Sequence, residues 1–191
     1  MRLLAIPATN SPAGLNRQLV DHAIRRVGGT LAAESSLDVD AEVVDLNDYE
    51  MPIYSQAREA DGGVPQPAHQ LYEKIGSADA LIVSFAEHNG SYSSAWKNVY
   101  DWMSRINSAV YQGTPVAMFA ATPGPRGGAG VLGSATLTAP FFGAELVGSL
   151  GVPTFFDNFD SDAGTLTDPD LQAQLDEVLA SLLAAASGSA G

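Results

Sequence analysis

Glu87-His88-Asn89-Gly90-Ser91-Tyr92-Ser93-Ser94-Ala95-Trp96-Lys97-Asn98-Val99-Tyr100-Asp101-Trp102 is the stretch that decides the fold. Just before it, Ala80-Leu81-Ile82-Val83-Ser84-Phe85 reads as a buried strand. After it, apolar residues at Trp96, Val99, Tyr100 and Met103 keep helical spacing. The polar, glycine-containing loop between them leaves the carboxyl end of a strand. Open α/β sheets receive their ligands at such loops, where free backbone N–H groups can face a ligand.

Outward from this stretch, short apolar runs alternate with amphipathic segments, the pattern of a parallel α/β sheet. Strands are expected at Arg2–Ala8, Ala41–Leu46, Ala80–Phe85, Thr114–Ala121 and Ala144–Ser149. A first helix begins near Leu15, with Leu15, Leu19, Ala23, Ile24 and Val27 on one side, and Gly28-Gly29 either ends or weakens it. Asn47–Pro67 reads as a long surface loop and Ala68–Ile75 as a helix. Another helix starts near Gly127, and Val152–Thr167 reads as coil. Asp168 can cap a last helix with Pro169 in its first turn and Leu171, Leu175, Val178, Leu179 and Leu182 on its apolar face. Its end, residues 186–191, should fray. The expected architecture is a single α/β domain over residues 1–191, with a five-stranded parallel sheet in the order 2-1-3-4-5.

Composition narrows the function. A hydrophobic content of 46% suits a packed domain. No apolar run reaches the ~18 residues of a membrane span, and the first strand is too short to serve as a secretory signal. The chain has no cysteine, so it has no disulfide and no thiolate chemistry. A net charge of −13, from 22 acidic and 9 basic residues, repels nucleic acid and anionic lipid. A cytoplasmic protein with neither a nucleic-acid nor a membrane partner is the simplest reading. His22, His69 and His88 stand far apart without ligand-like neighbours, no metal site is expected, and His22 reads as a surface residue.

The opening stretch resembles the NADPH-dependent FMN reductase family, flavodoxin-like NAD(P)H reductases of quinones, flavin, azo compounds and chromate. Their pattern is roughly P-E-Y-N-x-S-x-P-x-x-L-K-N-x-x-D-W. Glu87, Asn89, Ser91, Lys97, Asn98, Asp101 and Trp102 match it, while Ala86, His88, Ser93 and Trp96 depart from it. Lys97 and Asp101 read as an i,i+4 surface pair, and Trp96 and Trp102 as core, rather than as chemistry. Running resemblance extends from about Met1 to Leu150.

The resemblance implies FMN held noncovalently by three loops. In the first, Thr9 to Arg17, the family's G-S-x-[RS]-x-x-S-x-N is met by Thr9, Ser11 and Asn16, whereas Ala8 and Gly14 depart from it. Ser11 supplies no arginine charge to the phosphate, although Arg17 is close in sequence; Thr9 or Ser11 can equally be plain helix caps. The second loop, Glu87, His88, Asn89, Gly90 and Ser91, is implied to run its backbone along the flavin ring. There His88 either donates a proton to a reduced quinone or simply packs locally. In the third, Gly124 and Gly127 match S-x-G-x-x-G-G, with Thr122 in place of the Ser, and the loop would close over the ring's other edge, unless the glycines serve only a turn. Gly128-Ala129-Gly130-Val131-Leu132-Gly133 spells a dinucleotide fingerprint, but it begins about seven residues past its strand, too far to form the tight turn that fingerprint requires.

The expected activity is hydride transfer from NADPH or NADH through FMN to a small-molecule acceptor, with ping-pong kinetics and no indispensable catalytic residue. Homodimers or homotetramers are implied, and Trp96, Tyr100 and Trp102 suggest an aromatic interface. A non-enzymatic flavin-binding carrier, or a relative that has lost FMN through Ala8, Ser11 and Gly14, are the rival readings.

Overall fold

The computed structural model describes residues 1–35 and 37–188. In chain order its elements are β1 (Arg2–Ala8), α1 (Leu15–Arg26), α2 (Ala32–Ser35), β2 (Asp40–Val43), α3 (Gln56–Gly62), α4 (Gln66–Gly76), β3 (Ala80–Phe85), β4 (Glu87–His88), β5 (Ser91–Tyr92), α5 (Ser94–Ile106), β6 (Pro115–Ala121), α6 (Ala129–Thr138), β7 (Glu145–Val152), α7 (Phe155–Asn158), β8 (Phe159–Asp160), β9 (Thr165–Leu166) and α8 (Pro169–Gly188). The main sheet has the order β2-β1-β3-β6-β7, and each neighbouring pair is parallel. Numbered by these five strands alone, that is the expected 2-1-3-4-5.

The central strands are apolar throughout because both of their faces are covered. Every residue of β3 and β6 is buried. Alternate side chains feed two cores. Leu81, Val83, Val116 and Met118 pack with residues of α4, α5 and α6, whereas Ile82, Ala117 and Phe119 pack with α1 and α8. Asp168 caps α8 as expected, its Oδ1 accepting from the N–H groups of Asp170 at 2.8 Å and Leu171 at 3.1 Å. The register then places the loops. Ala8 pairs with Phe85, and Phe85 pairs with Ala120, so the loops after β1, β3 and β6 leave the sheet at one level.

Several expectations are corrected. The segment 47–67 is not one loop. Leu46–Tyr49 forms a 3-10 turn capped by Asp45, and α3 follows a cap by Ser55. α3 buries no residue, so it lacks the apolar periodicity that would reveal it. The segment 152–167 is not plain coil; it holds α7 and the β8–β9 hairpin, pinned by Phe155 stacked on Phe159 at 4.5 Å. Gly28-Gly29 does not end the helical path. A wider turn runs on through Val27–Leu31 with a kink at Gly29. β2 is shorter than expected, and β7 extends to Val152. The expected fraying applies partly to residues 189–191, which lie outside the described residues, while α8 itself continues to Gly188.

His22 is a core residue, not a surface one. It is 3% exposed, its Nε2 sits 2.8 Å from Gln172 Oε1 on α8, and its ring meets Phe159 edge-on. Burial lowers its pKa below the ordinary 6.5. The aromatic residues of α5 are also used up inside the chain: Trp96 and Trp102 are each 1% exposed, and Tyr100 is buried against Trp96, Tyr111 and Phe142. They therefore offer no surface to a partner.

Candidate functional site

The three loops border one cleft of about 300 Å³ at the carboxyl edge of the sheet. Of the residues singled out in the sequence, Thr9, Ser11, Asn16, Glu87, His88 and Thr122 line it, together with Gly14, Leu15, Ala86, Ala121 and Pro123. A second cleft of about 230 Å³ lies between Asn10, Met51 and the first turn of α5.

The first loop opens onto the start of α1. Gly14 is its N-cap, so no side chain satisfies the first turn, and that turn carries no acidic residue. Neither Thr9 nor Ser11 caps the helix. Thr9 Oγ1 instead accepts from the Ser11 N–H at 3.2 Å in a local turn. The positive end of α1 is thus left for an anion. The Arg17 guanidinium is engaged by Asp21, Nε to Oδ1 at 2.9 Å.

Asn16 is 4% exposed, and both ends of its amide are bonded to protein. Nδ2 donates to the Ala121 carbonyl at 3.1 Å, while Oδ1 accepts from the Ala121 N–H and from Ser84 Oγ, both at 2.8 Å. One side chain therefore clamps the start of α1 to the end of β6 and to β3. Sequence reading missed Ser84 in this role; a single hydroxyl in an otherwise apolar run was its signal.

The second loop is a two-residue hairpin. β4 and β5 pair antiparallel, His88 opposite Ser91, and the turn residues Asn89 and Gly90 have φ of 53° and 77°. Asn-Gly is the favoured pair for such a turn, so the signal stood in the sequence. Asn89, Gly90 and Ser91 are exposed at its tip, and His88 is exposed facing the cleft. Glu87 anchors the hairpin, its Oε1 accepting from the Val131 N–H of α6 at 3.1 Å. Gly130 permits that approach, since a Cβ there would strike Glu87 Oε1 and come within 2.7 Å of the Gly90 carbonyl oxygen. Tyr92 leans on Phe85, and burial pushes its phenol pKa up, so it stays protonated.

The third loop is fixed by backbone bonds. Thr122 N–H donates to the Val152 carbonyl at 3.2 Å, and Thr154 N–H donates to the Gly124 carbonyl at 2.9 Å. Gly127 does not line the cleft. It turns the chain at φ 56° with the backbone of Gly151 and Pro153 within 3.2 Å of where a Cβ would sit. The glycines of the fingerprint-like run fall at the N-cap of α6 and within it.

The remainder of the opening stretch is scaffolding. Asn98 accepts from the Tyr54 N–H at 2.9 Å and donates to the Met51 carbonyl at 3.0 Å; Trp102 Nε1 donates to the Pro52 carbonyl at 2.8 Å. Lys97 pairs with Asp101 along α5. Ser93 caps α5 and donates to the Ala8 carbonyl at 2.8 Å, joining that helix to the end of β1. Most other cations are likewise engaged: Arg26 with Asp176, Lys74 with Glu42, Arg105 with Glu59, and Arg25 and Arg58 with the carbonyls of Gly164 and Ile53. Among the described residues no group of three or more His, Cys, Asp or Glu could hold a metal, and no helix is long and apolar enough to cross a membrane.

The chain is similar to several known proteins. The quinone reductase of Escherichia coli strain K12 is 30% identical over 99 residues, 51% of this chain and 50% of the relative, so the chain spans about half the length of that relative. The NAD(P)H:quinone oxidoreductase of Solanum tuberosum is 29% identical over 178 residues, 90% of this chain and 85% of the relative. Among solved structures, the flavoenzyme NAD(P)H:(acceptor) oxidoreductase FerB of Paracoccus denitrificans shares the fold with a TM-score of 0.72 at 19% identity, over 98% of this chain and 97% of that one. Residues 1–156 match the family described as NADPH-dependent FMN reductase, and the chain belongs to that family.

Proposed function

We propose that this chain binds FMN in the three-loop cleft and uses NADPH or NADH to reduce a small-molecule acceptor such as a quinone. The observation that carries this reading is the convergence of three loops on one cleft, beside an α1 N-terminus that no side chain caps. The residues suit a phosphorylated, flat-ringed cofactor. The first turn of α1, with Thr9, Ser11 and Asn16 around it, takes the phosphate. The hairpin Glu87–Ser91 and the loop shaped by Thr122, Gly124 and Gly127 would hold the ring between them.

Bound FMN supplies two-electron transfer between a nicotinamide and an acceptor. The protein's part is to bind, orient and exclude water. Glu87 holds the hairpin against α6, and Asn16 sets the spacing of the first and third loops. His88, exposed on the cleft wall, is a side chain suited to hand over a proton. Nicotinamide and acceptor use the same pocket in turn, so the kinetics are ping-pong.

Assembly into a homodimer or homotetramer belongs to the same reading. Its apolar contacts come not from α5 but from exposed residues such as Leu137 and Phe141, 72% and 79% accessible on and after α6. A cytoplasmic site and a single domain over 1–191 complete the reading. The test is steady-state NAD(P)H oxidation with a quinone after FMN loading. Parallel double-reciprocal lines are expected, and intersecting lines or no turnover would overturn the reading.

A further inference from the structure

We infer that Arg126 is the receptor for a phosphate of the nicotinamide dinucleotide, and so sets how tightly this chain holds its electron donor. This inference rests on the proposed reductase function. The surface is strongly acidic, at a net −13, and a dinucleotide brings further negative charge towards it. Such a ligand needs a local cation at the mouth of the cleft. The chain has nine basic residues, and its ion pairs and carbonyl contacts occupy most of them. Two guanidinium groups, those of Arg2 and Arg126, have no acceptor among the described residues. Arg2 opens β1, at the amino end of the strands and away from the cleft. Arg126 belongs to the loop after β6, whose Thr122 and Pro123 form the cleft wall.

Arg126 is exposed, but its loop is not loose. Its carbonyl accepts from the Ala129 N–H at 3.0 Å, and Gly124, two residues before it, is tied to Thr154. The next residue, Gly127, is wedged against the Gly151–Pro153 backbone. The side chain extends from a fixed base in the loop that carries the cleft residues Thr122 and Pro123, and its planar fork of donors has no acceptor among the described residues, the arrangement suited to bidentate phosphate recognition. The α1 terminus serves the phosphate of FMN, which leaves Arg126 for the second nucleotide.

The experiment compares wild type with Arg126→Gln and Arg126→Lys. FMN affinity is read by fluorescence quenching. NADP⁺ and NAD⁺ binding to the FMN-loaded protein is read by calorimetry, and KM and kcat are measured with NADPH and NADH. Loss of a hydrogen bond between charged groups predicts weaker NADP⁺ binding and a higher NADPH KM, on the order of ten- to a hundredfold, in Arg126→Gln. FMN affinity and kcat should hold near wild type, and Arg126→Lys should recover part of the loss. An effect confined to NADPH and NADP⁺ assigns the 2′-phosphate, and an equal effect on all four nucleotides assigns the pyrophosphate. Unchanged nucleotide binding, or a fall in FMN affinity instead, overturns the inference while the reductase reading stands. A wild-type protein that neither binds FMN nor oxidises NAD(P)H overturns both.

Discussion

Asn16→Ala should destabilise the fold more than any other single change at the cleft, because Asn16 acts as a clamp. Removing the amide leaves three buried partners without a mate: the Ala121 carbonyl, the Ala121 N–H and the Ser84 hydroxyl. Each orphaned buried polar group costs about 1–3 kcal/mol. The three share one site, so their losses do not simply add, and a total of about 3–5 kcal/mol is expected. Against a domain stability of roughly 5–15 kcal/mol that is a large fraction. For a chain of this size it corresponds to a Tm lower by on the order of 10 °C. Ser84→Ala removes only one donor and leaves Ala121 bonded to Asn16, so about 1 kcal/mol is expected. Urea unfolding followed by circular dichroism measures both. A loss below about 1 kcal/mol in Asn16→Ala, accompanied by abolished FMN binding, would refute the clamp and make Asn16 a direct ligand instead.

Three further outcomes are expected. Ser11→Arg places a charge beside the uncapped start of α1 and should tighten FMN binding by roughly tenfold, as read by fluorescence titration; weaker binding would mean the phosphate sits elsewhere. His88→Phe should lower quinone turnover by less than roughly tenfold with FMN retained, whereas general acid catalysis by His88 would cost ~10²–10⁴-fold. For His22, burial favours the neutral ring, so the unfolded chain binds more protons than the fold once pH drops below about 6.5. Stability should be full above that pH, fall as the pH drops towards the lowered folded value and level off beneath it. His22→Gln should lack this component, and a gap between the two proteins that stays constant from pH 7.5 to 5 would contradict the assignment.

The parts of the fold legible in the sequence were those whose burial is complete. β3 and β6 announce themselves because every position is apolar or small, as strands covered on both faces must be. α3 leaves no such trace, since it buries nothing and is held by the Ser55 cap and polar contacts such as Glu59 with Arg105. β2, an edge strand with three of its four residues exposed, carries no burial pattern that marks its ends, for the same reason. At the site, the loops and most of their polar residues were readable as strand-to-helix connections. Their division of labour was not. Arg17 stands near the phosphate loop in sequence, and its ion pair with Asp21, one turn further along α1, follows only from helical spacing. Asn16 reads as a residue of the phosphate loop, and its bonds to β3 and β6, remote in sequence, add a clamping role that no local pattern signals. His22 read as a surface residue because α8, which buries it, lies about 150 residues away in the chain.

The central claim is that the cleft between the three loops holds FMN. Titration of FMN with the purified, flavin-free protein tests it most directly, with flavin fluorescence and the visible spectrum followed together. Saturable quenching at one FMN per chain and a shifted, structured flavin absorbance are predicted, both weakened in Gly90→Val, where a β-branched residue must adopt φ near 77° at the turn beside the ring. Free-flavin fluorescence that persists at micromolar protein, with an unshifted spectrum, would contradict the account.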